Sequence, residues 1–522
     1  MNMKIRKIRL INFKRFRDYT IEPNDRINIL VGDNEVGKSS TLEAIDLVAS
    51  GNKRRIEILG LDKLINVEAV REFTSGERVF EKLPELRIEL YLALQTPNHT
   101  MNGKNNADKV TCDGIRLVCA PNKEYRAEIK AALEAHPNYF PYEYYSSRFS
   151  TFADEEYTGY KKKLRSVFID STSMNSDYAT NDFVRRMYRQ YTETNVKERA
   201  RHKSNYRVLR DSFQNDSLAE LNTRISGENN YSFGLRGGNA IDLESELMIY
   251  EDNVGIDSKG TGRQVFVKTD LALGRSGDNV NVVLIEEPEN HLSPTNLRKL
   301  VHRVLDTRGG QLFITTHNNY ISTRLELQNL VIMHASSGEK PIMLKDLREE
   351  TAKYFMKTPP ASIVEFALAS KVILVEGPAE FMLIERFYMT VTGHQPEDDG
   401  VQIIDIRGLS FLRYLEIAKL TKGKVGVITD NDNDAKKNCI EKYSAYANDS
   451  NIKVFYEPDN EKRTFEIVLY SANSDLCNSL FRDDAQEYML KNKTEAAFAM
   501  LSQKQPIVVP DYIKRAIEWI KE

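Results

Sequence analysis

Cysteine is scarce. Cys112, Cys119, Cys439 and Cys477 are the four in 522 residues, and no two form a CxxC pair. That spacing excludes a zinc ribbon, a thioredoxin-like redox pair or a disulfide framework, and it predicts a reducing, cytoplasmic setting. Long apolar runs are missing too. Nothing approaches the roughly 20 residues that span a bilayer, and the opening MNMKIRKIRLINFKRF puts a charge at almost every second position where a secretory signal would be apolar. The expectation is a protein with no membrane partner. An excess of one charge is also absent: 73 Lys and Arg against 76 Asp and Glu leave a net charge of −3, so a nucleic-acid site has to be local. Sustained heptads are lacking, which argues against a long coiled-coil arm, and there is no internal repeat.

What remains is 41% hydrophobic and 29% charged residues, enough for substantial cores in two to four domains. Residues 4–13 and 26–31 read as strands, and from Ser39 onward STLEAIDLVAS has helical spacing. Strand patterns return at 280–286 and 311–315, with a helix beginning near Ser293. A further series of strands and helices runs through KVILVEG, VQIIDI and KVGVITD from Lys371. Such alternation predicts an α/β protein with parallel sheets. Residues 111–235, rich in Tyr, Asn, Arg and Lys with amphipathic stretches, are expected to form a mainly helical insert, and Lys357–Pro360 (KTPP) marks a boundary. The expected domains are thus 1–110, the insert 111–235, 236–356, and 361–522.

Gly32 to Ser39 reads GDNEVGKS between a strand and a helix, the setting in which glycines let backbone N–H groups face phosphate oxygens at a helix N-terminus. Gly32, Asn34, Gly37, Lys38, Ser39 and Ser40 are the expected ATP contacts; Lys38 would reach the β- and γ-phosphates and Ser39 would ligate Mg²⁺. In VVLIEEPENHL, Val282 to Leu292, four apolar residues deliver Glu286, suited to the Mg²⁺ shell, and Glu287, suited to orienting the attacking water. His317 follows the next strand, where an imidazole could sense the γ-phosphate. Ser258 to Gln264 (SKGTGRQ) is a glycine-bearing turn before an apolar helix. The order of these segments resembles ABC-type ATPases of recombination and chromosome-maintenance proteins. The resemblance implies head-to-head engagement with Ser258, Gly260 and Gly262 acting in trans, although SKGTGRQ departs from the usual LSGGQ wording.

A second set of acids follows. After the strand KVILV come Glu376, a glycine and Glu380; after KVGVIT come Asp430, Asp432 and Asp434. Alternate positions at a strand end share a side, so Asp430 and Asp432 are expected to share a cation with Glu376. Oxygen-only donors suit Mg²⁺ or Mn²⁺, and two such ions could clamp the oxygens of a phosphodiester. Glu-Gly after one strand and Asp-x-Asp after a later one, with Gly408 after VQIIDI between them, resemble the Toprim fold. An ABC-type head with a helical insert, followed by a Toprim domain with a central parallel sheet, resembles the OLD (overcoming lysogenization defect) family of ATP-dependent DNA endonucleases associated with anti-phage defence. The resemblance implies that Thr464 and Glu466, in RTFE, bind metal, as do Glu376, Glu380, Asp430 and Asp432, and that Lys493 steadies charge on the scissile phosphate. It also implies a homodimer or tetramer acting on DNA, in some members beside a helicase or a retron reverse transcriptase with its DNA–RNA product. Residues 185–210, with nine Lys or Arg, two Glu and Tyr188, Tyr191 and Tyr206 interleaved, are a candidate DNA contact. Two other readings remain: a non-cleaving DNA-binding or sensor ATPase whose Toprim unit scaffolds a partner, and a topoisomerase or primase.

Overall fold

The computed structural model describes residues 3–522 apart from 95, 137–138, 160–161, 171–182, 186, 190, 193–195, 226–230, 236–242, 275–279, 307–309, 335–339, 359–361, 409, 482–483 and 504. Its packing forms two compact units, Met1–Asn28 with Gly37–Thr316, and Ile29–Val36 with His317–Glu522.

In the first unit, Lys4–Phe13 lies between Phe16–Ile21 and Leu86–Ala93 in an antiparallel sheet continued by Cys112–Pro121 and Tyr145–Thr151. Ile8 faces Leu90 and Leu10 faces Ile88. A register shift between Ile5 and Lys7 restores a buried Ile5 and Ile8 to the same sheet interior despite their odd spacing. A separate parallel run pairs Val282–Glu286 in register with Ser166–Asp170 on one side and Gln311–Thr315 on the other. All of Val282–Glu286 and Gln311–Thr315 is buried, which is why these strands read as continuous apolar runs. The helix Lys38–Ser50 is anchored to this run through Asp46, fully buried, which accepts a hydrogen bond from Ser166 Oγ at 3.0 Å and pairs with Arg55.

The stretch 111–235, expected as a mainly helical insert, holds strands as well as helices. Its first part supplies three strands, and its described helical residues include 183–185 and 187–189 beside the helices Arg126–Ala135, Val196–Ser212 and Ala219–Ile225. Ile115, Leu117 and Cys119 are buried at alternate positions, a period-two signal in CDGIRLVCAP that the surrounding polar composition masks.

In the second unit, Ile29–Val31 pairs in parallel with Leu330–Ile332. Farther along the chain four parallel strands lie in the order Val401–Asp405, Lys371–Val375, Lys424–Ile428, Ile452–Phe455. Ile373 and Val375 join a core built with the helices Pro378–Thr392, Phe465–Ala472, Lys493–Leu501 and Asp511–Lys521. Val372 and Leu374 alternate with them and are equally buried, so the sheet is covered on both faces. The expected boundary at Lys357–Pro360 is not where packing divides: Pro359 and Pro360 lie outside the described residues, and the unit already includes His317. Ion and hydrogen bonds explain the continuity. Glu416, on the helix Phe411–Thr421, accepts from Arg348 Nη2 at 2.7 Å and from Thr351 Oγ1 at 2.6 Å.

Candidate nucleotide and metal sites

The glycine loop is built by close approach. A Cβ at Gly32 would lie 2.6 Å from the Met333 carbonyl oxygen, and one at Gly37, whose φ is 100°, would lie 2.3 Å from Phe16. Glycine is therefore required at both positions on packing grounds, and at Gly37 on backbone grounds as well. Gly37 caps the helix that begins at Lys38, with Lys38 buried, Ser39 and Asn34 exposed and Ser40 half-buried. Glu286 is buried at the end of its strand. Glu287 turns the chain at a φ of 39°, its N–H bonds the Thr315 carbonyl at 3.0 Å, and its Oε2 accepts from Asn290 Nδ2 at 2.7 Å. Glu289, which sequence reasoning passed over, accepts from Thr316 Oγ1 at 2.6 Å. His317 is exposed and precedes the helix Asn319–Arg324, which Asn318 caps.

The SKGTGRQ turn ends at the helix Thr261–Gly274. Glu251 staples it, accepting from Lys259 Nζ and Arg263 Nε at 2.9 Å each. The hydrogen bonds from Arg263 and then Lys259 hold the Glu251 carboxyl down at about 2. Ser258 Oγ donates to Asp257 at 3.2 Å. Gly260 has open space where a Cβ would stand, whereas Gly262 packs so tightly that a Cβ would meet the His291 carbonyl oxygen at 2.0 Å.

In the second unit the acids of two strand ends and two helices come together. Glu376 follows Lys371–Val375 directly, and its Oε1 accepts from Thr429 Oγ1 at 2.7 Å and from the Asp430 N–H at 3.2 Å. Asp430 Oδ1 accepts from the Phe465 N–H at 2.8 Å, at the start of the helix that carries Glu466. Glu466 is buried and pairs with Lys493 Nζ at 3.0 Å. Burial, then the neighbouring charges of Glu376, Glu380 and Glu466, push Asp430 up to about 8. Glu380 is pushed up to about 7, by burial first and then by Glu466 and Glu376. Burial works against the Lys493 charge, yet Glu466, Asp430 and Glu380 raise it above the ordinary lysine value.

Asp432 stands apart from this set. The strand ends at Ile428, so strand alternation does not reach residue 432. Asp432 and Asn433 have φ of 47° and 67°, and Asp432 and Asp434 are exposed.

Among the described residues no three or more Asp, Glu, His or Cys side chains are gathered as a ready-made metal cage. The donor chemistry nevertheless suits a hard cation: carboxylates that burial and then mutual repulsion raise at Asp430 and Glu380, beside a buried Thr464 hydroxyl with no hydrogen-bond partner among the described residues. Mg²⁺ keeps several waters and is held through one or two carboxylates plus substrate phosphate, which a preformed cage would obstruct. Glu376, Asp430 and Glu466 are the residues placed to supply such oxygens.

Two family models match parts of the chain. Residues 3–241 match the family model described as AAA ATPase domain, and residues 368–432 match "Overcoming lysogenization defect protein-like, TOPRIM domain". The chain is an ATPase fused to a Toprim domain of the OLD family. The chain also shares 42% identity over 53 residues with the DNA replication and repair protein RecF of Stenotrophomonas maltophilia (strain R551-3), a match spanning 10% of this chain and 15% of that one. It is similar, at 14% identity and a TM-score of 0.34, to an SmcHead bound to the C-winged helix domain of ScpA, over 66% of this chain and 100% of that one. At 12% identity and a TM-score of 0.32 it resembles the recombination mediator RecF-ATP, over 60% and 94% of the two chains.

The OLD-like protein's basic stretch 185–210 is partly committed elsewhere. Buried Glu244 pairs with Lys203 at 3.1 Å and with Arg189 at 2.5 Å, while Arg186 and residues 193–195 lie outside the described residues. The rest of the helix Val196–Ser212 carries exposed Lys197, Arg201 and Arg207. No described helix is long and apolar enough to cross a membrane.

Proposed function

We propose that the protein is an ATP-binding and ATP-hydrolysing, divalent-metal-dependent DNA endonuclease of the OLD family that acts in anti-phage defence as a homodimer or tetramer, with its ATPase heads controlling the Toprim site. The observation that carries this reading is the hydrogen-bonded meeting of Glu376, Asp430 and the start of the Glu466 helix, with Glu466 paired to Lys493. Mg²⁺ or Mn²⁺ would supply an activated water and neutralise the phosphodiester's charge. Glu376 and Asp430 would hold it together with Glu466 and Thr464, and the Lys493 ammonium would meet negative charge developing on the scissile phosphate. Asp432 would join only from the solvent side of the loop. Lys38, Ser39, Glu286 and Glu287 would bind and hydrolyse ATP with His317 sensing the γ-phosphate, and Ser258, Gly260 and Gly262 would close over the partner's nucleotide. Exposed cations of Val196–Ser212 would contact DNA phosphates.

The test is cleavage of supercoiled, linear and single-stranded DNA in Mg²⁺ or Mn²⁺, with and without ATP, by the wild type, Lys38→Ala and Asp430→Asn. The reading predicts cutting by the wild type and none by Asp430→Asn; a wild type that cuts none of these substrates sinks it. The exposure of Asp432, outside the set that meets at Asp430, favours one alternative, a non-cleaving DNA-binding or sensor ATPase whose Toprim unit scaffolds a partner. That alternative predicts DNA binding and ATP turnover without any cleavage.

A further inference from the structure

The residue between the two acids of the Asp-x-Asp element is bound more extensively than either. Asn431 is 1% exposed. Its side-chain Nδ2 donates to three carbonyl oxygens of the segment after the last sheet strand: Glu457 at 2.7 Å, Asp459 at 2.9 Å and, more weakly, Lys462 at 3.4 Å. Its Oδ1 accepts from the Asn433 N–H at 3.0 Å, and its own carbonyl accepts from Asn438 Nδ2 at 2.9 Å. Further hydrogen bonds follow the same seam. The Ala435 N–H reaches Asn460 Oδ1 at 3.0 Å, the Asp432 N–H reaches the Arg463 carbonyl at 3.2 Å, and the Phe465 N–H reaches Asp430 Oδ1 at 2.8 Å. Two chain segments more than twenty residues apart are thereby stitched together, one bearing Asp430 and the other running into Thr464 and Glu466.

We propose that Asn431 is a positioning residue of the Toprim centre, whose buried carboxamide clamps the Asp430 loop to the 457–463 segment so that oxygens of Asp430 and of the Thr464 and Glu466 that follow the segment reach one divalent cation. The proposal rests on the metal-dependent reading above and adds to it a residue that touches neither metal nor DNA. The chemistry of the position singles out asparagine. Three carbonyl oxygens converge on one nitrogen, so the side chain has to donate there; aspartate would present a charged acceptor to those carbonyls, and an apolar residue would strand them. The 1% exposure means that water cannot take the carboxamide's place without opening the seam. Because the acids on either side of the seam repel one another, a loosened loop would drift toward wider separation and lose the shared cation.

The experiment titrates the full-length, nucleotide-free protein with Mn²⁺ alone and reads free Mn²⁺ by electron paramagnetic resonance, with Asp430→Asn defining the signal that belongs to this centre. Asn431→Asp is expected to weaken that binding by at least roughly tenfold, the usual cost of removing a partner that orients a ligand, and to shift the Mn²⁺ midpoint for cleavage in the same direction while ATP binding is kept. Asn460→Ala removes a second stitch at an exposed position and is expected to weaken Mn²⁺ binding less, which keeps the test open should Asn431→Asp not fold. Folded variants that bind Mn²⁺ as the wild type does overturn the proposal, and so does a wild type with no Mn²⁺ signal that Asp430→Asn removes. A wild type that binds Mn²⁺ in this way but cuts no DNA instead overturns the nuclease reading and leaves the clamp standing.

Discussion

Asp430 concentrates the electrostatics of the Toprim unit. With its carboxyl pushed from the ordinary 3.8 up to about 8, the native protein holds a proton there that the unfolded chain has released. Between those two values the native state binds more protons, so this group makes the metal-free protein less stable as pH rises from about 4 to about 8. Calorimetry in a chelator should therefore show a melting temperature that falls across this range. Asp430→Asn should flatten the fall and gain on the order of 5 °C at pH 8, and an unchanged pH profile would refute the account. Divalent cation should stabilise the wild type at pH 8 and not the variant. Lys493 makes a complementary case. Lys493→Met leaves the buried Glu466 without its cation, so cleavage is expected to fall roughly a hundredfold or more, with single-turnover rates as the measure and substrate affinity little changed.

Individual elements depend on a few interior contacts. Asp46 ties the helix after the glycine loop to Arg55 and to Ser166, so Asp46→Ala should cost about 3 kcal/mol by removing one member of a buried charged set, readable from urea unfolding. The SKGTGRQ turn offers an internal contrast. Gly262→Ala puts a methyl group against the His291 carbonyl and should cost about 2 kcal/mol, while Gly260→Ala meets open space and should leave the unfolding midpoint unchanged. Equal effects of the two substitutions would show that the packing at Gly262 is not what fixes glycine there. The strands Val282–Glu286, Lys371–Val375 and Lys424–Ile428 were legible from their apolar runs, because a strand covered on both faces has no polar alternation to confuse. The strands within 112–170 were not, because there polar residues outnumber the alternating buried positions.

At the scale of the whole molecule, the glycine-loop strand and the Toprim sheet fall within one compact unit, although several hundred residues of chain separate them. Nucleotide binding should raise the stability of the protein by linkage, about 2.7 kcal/mol at a hundredfold excess over Kd. Differential scanning calorimetry should register the upward shift with ATP in the wild type and lose it in Lys38→Ala; an equal shift in both would place the nucleotide elsewhere.

Local chemistry was enough to specify the two motif-bearing strand ends. A glycine loop between strand and helix, paired acids after an apolar run, and Glu-Gly followed by Asp-x-Asp are short-range patterns whose meaning depends on neighbours a few residues away. Which acids meet was decided by the folded chain. Glu380 and Glu466 are joined to Asp430 by helix packing and by the Phe465 N–H, while Asp432, in the same motif, is turned out to solvent by a left-handed backbone at 432 and 433. Asn431 carries no signal of its own in the sequence, because a carboxamide acquires its role only when carbonyl groups from a distant segment arrive around it.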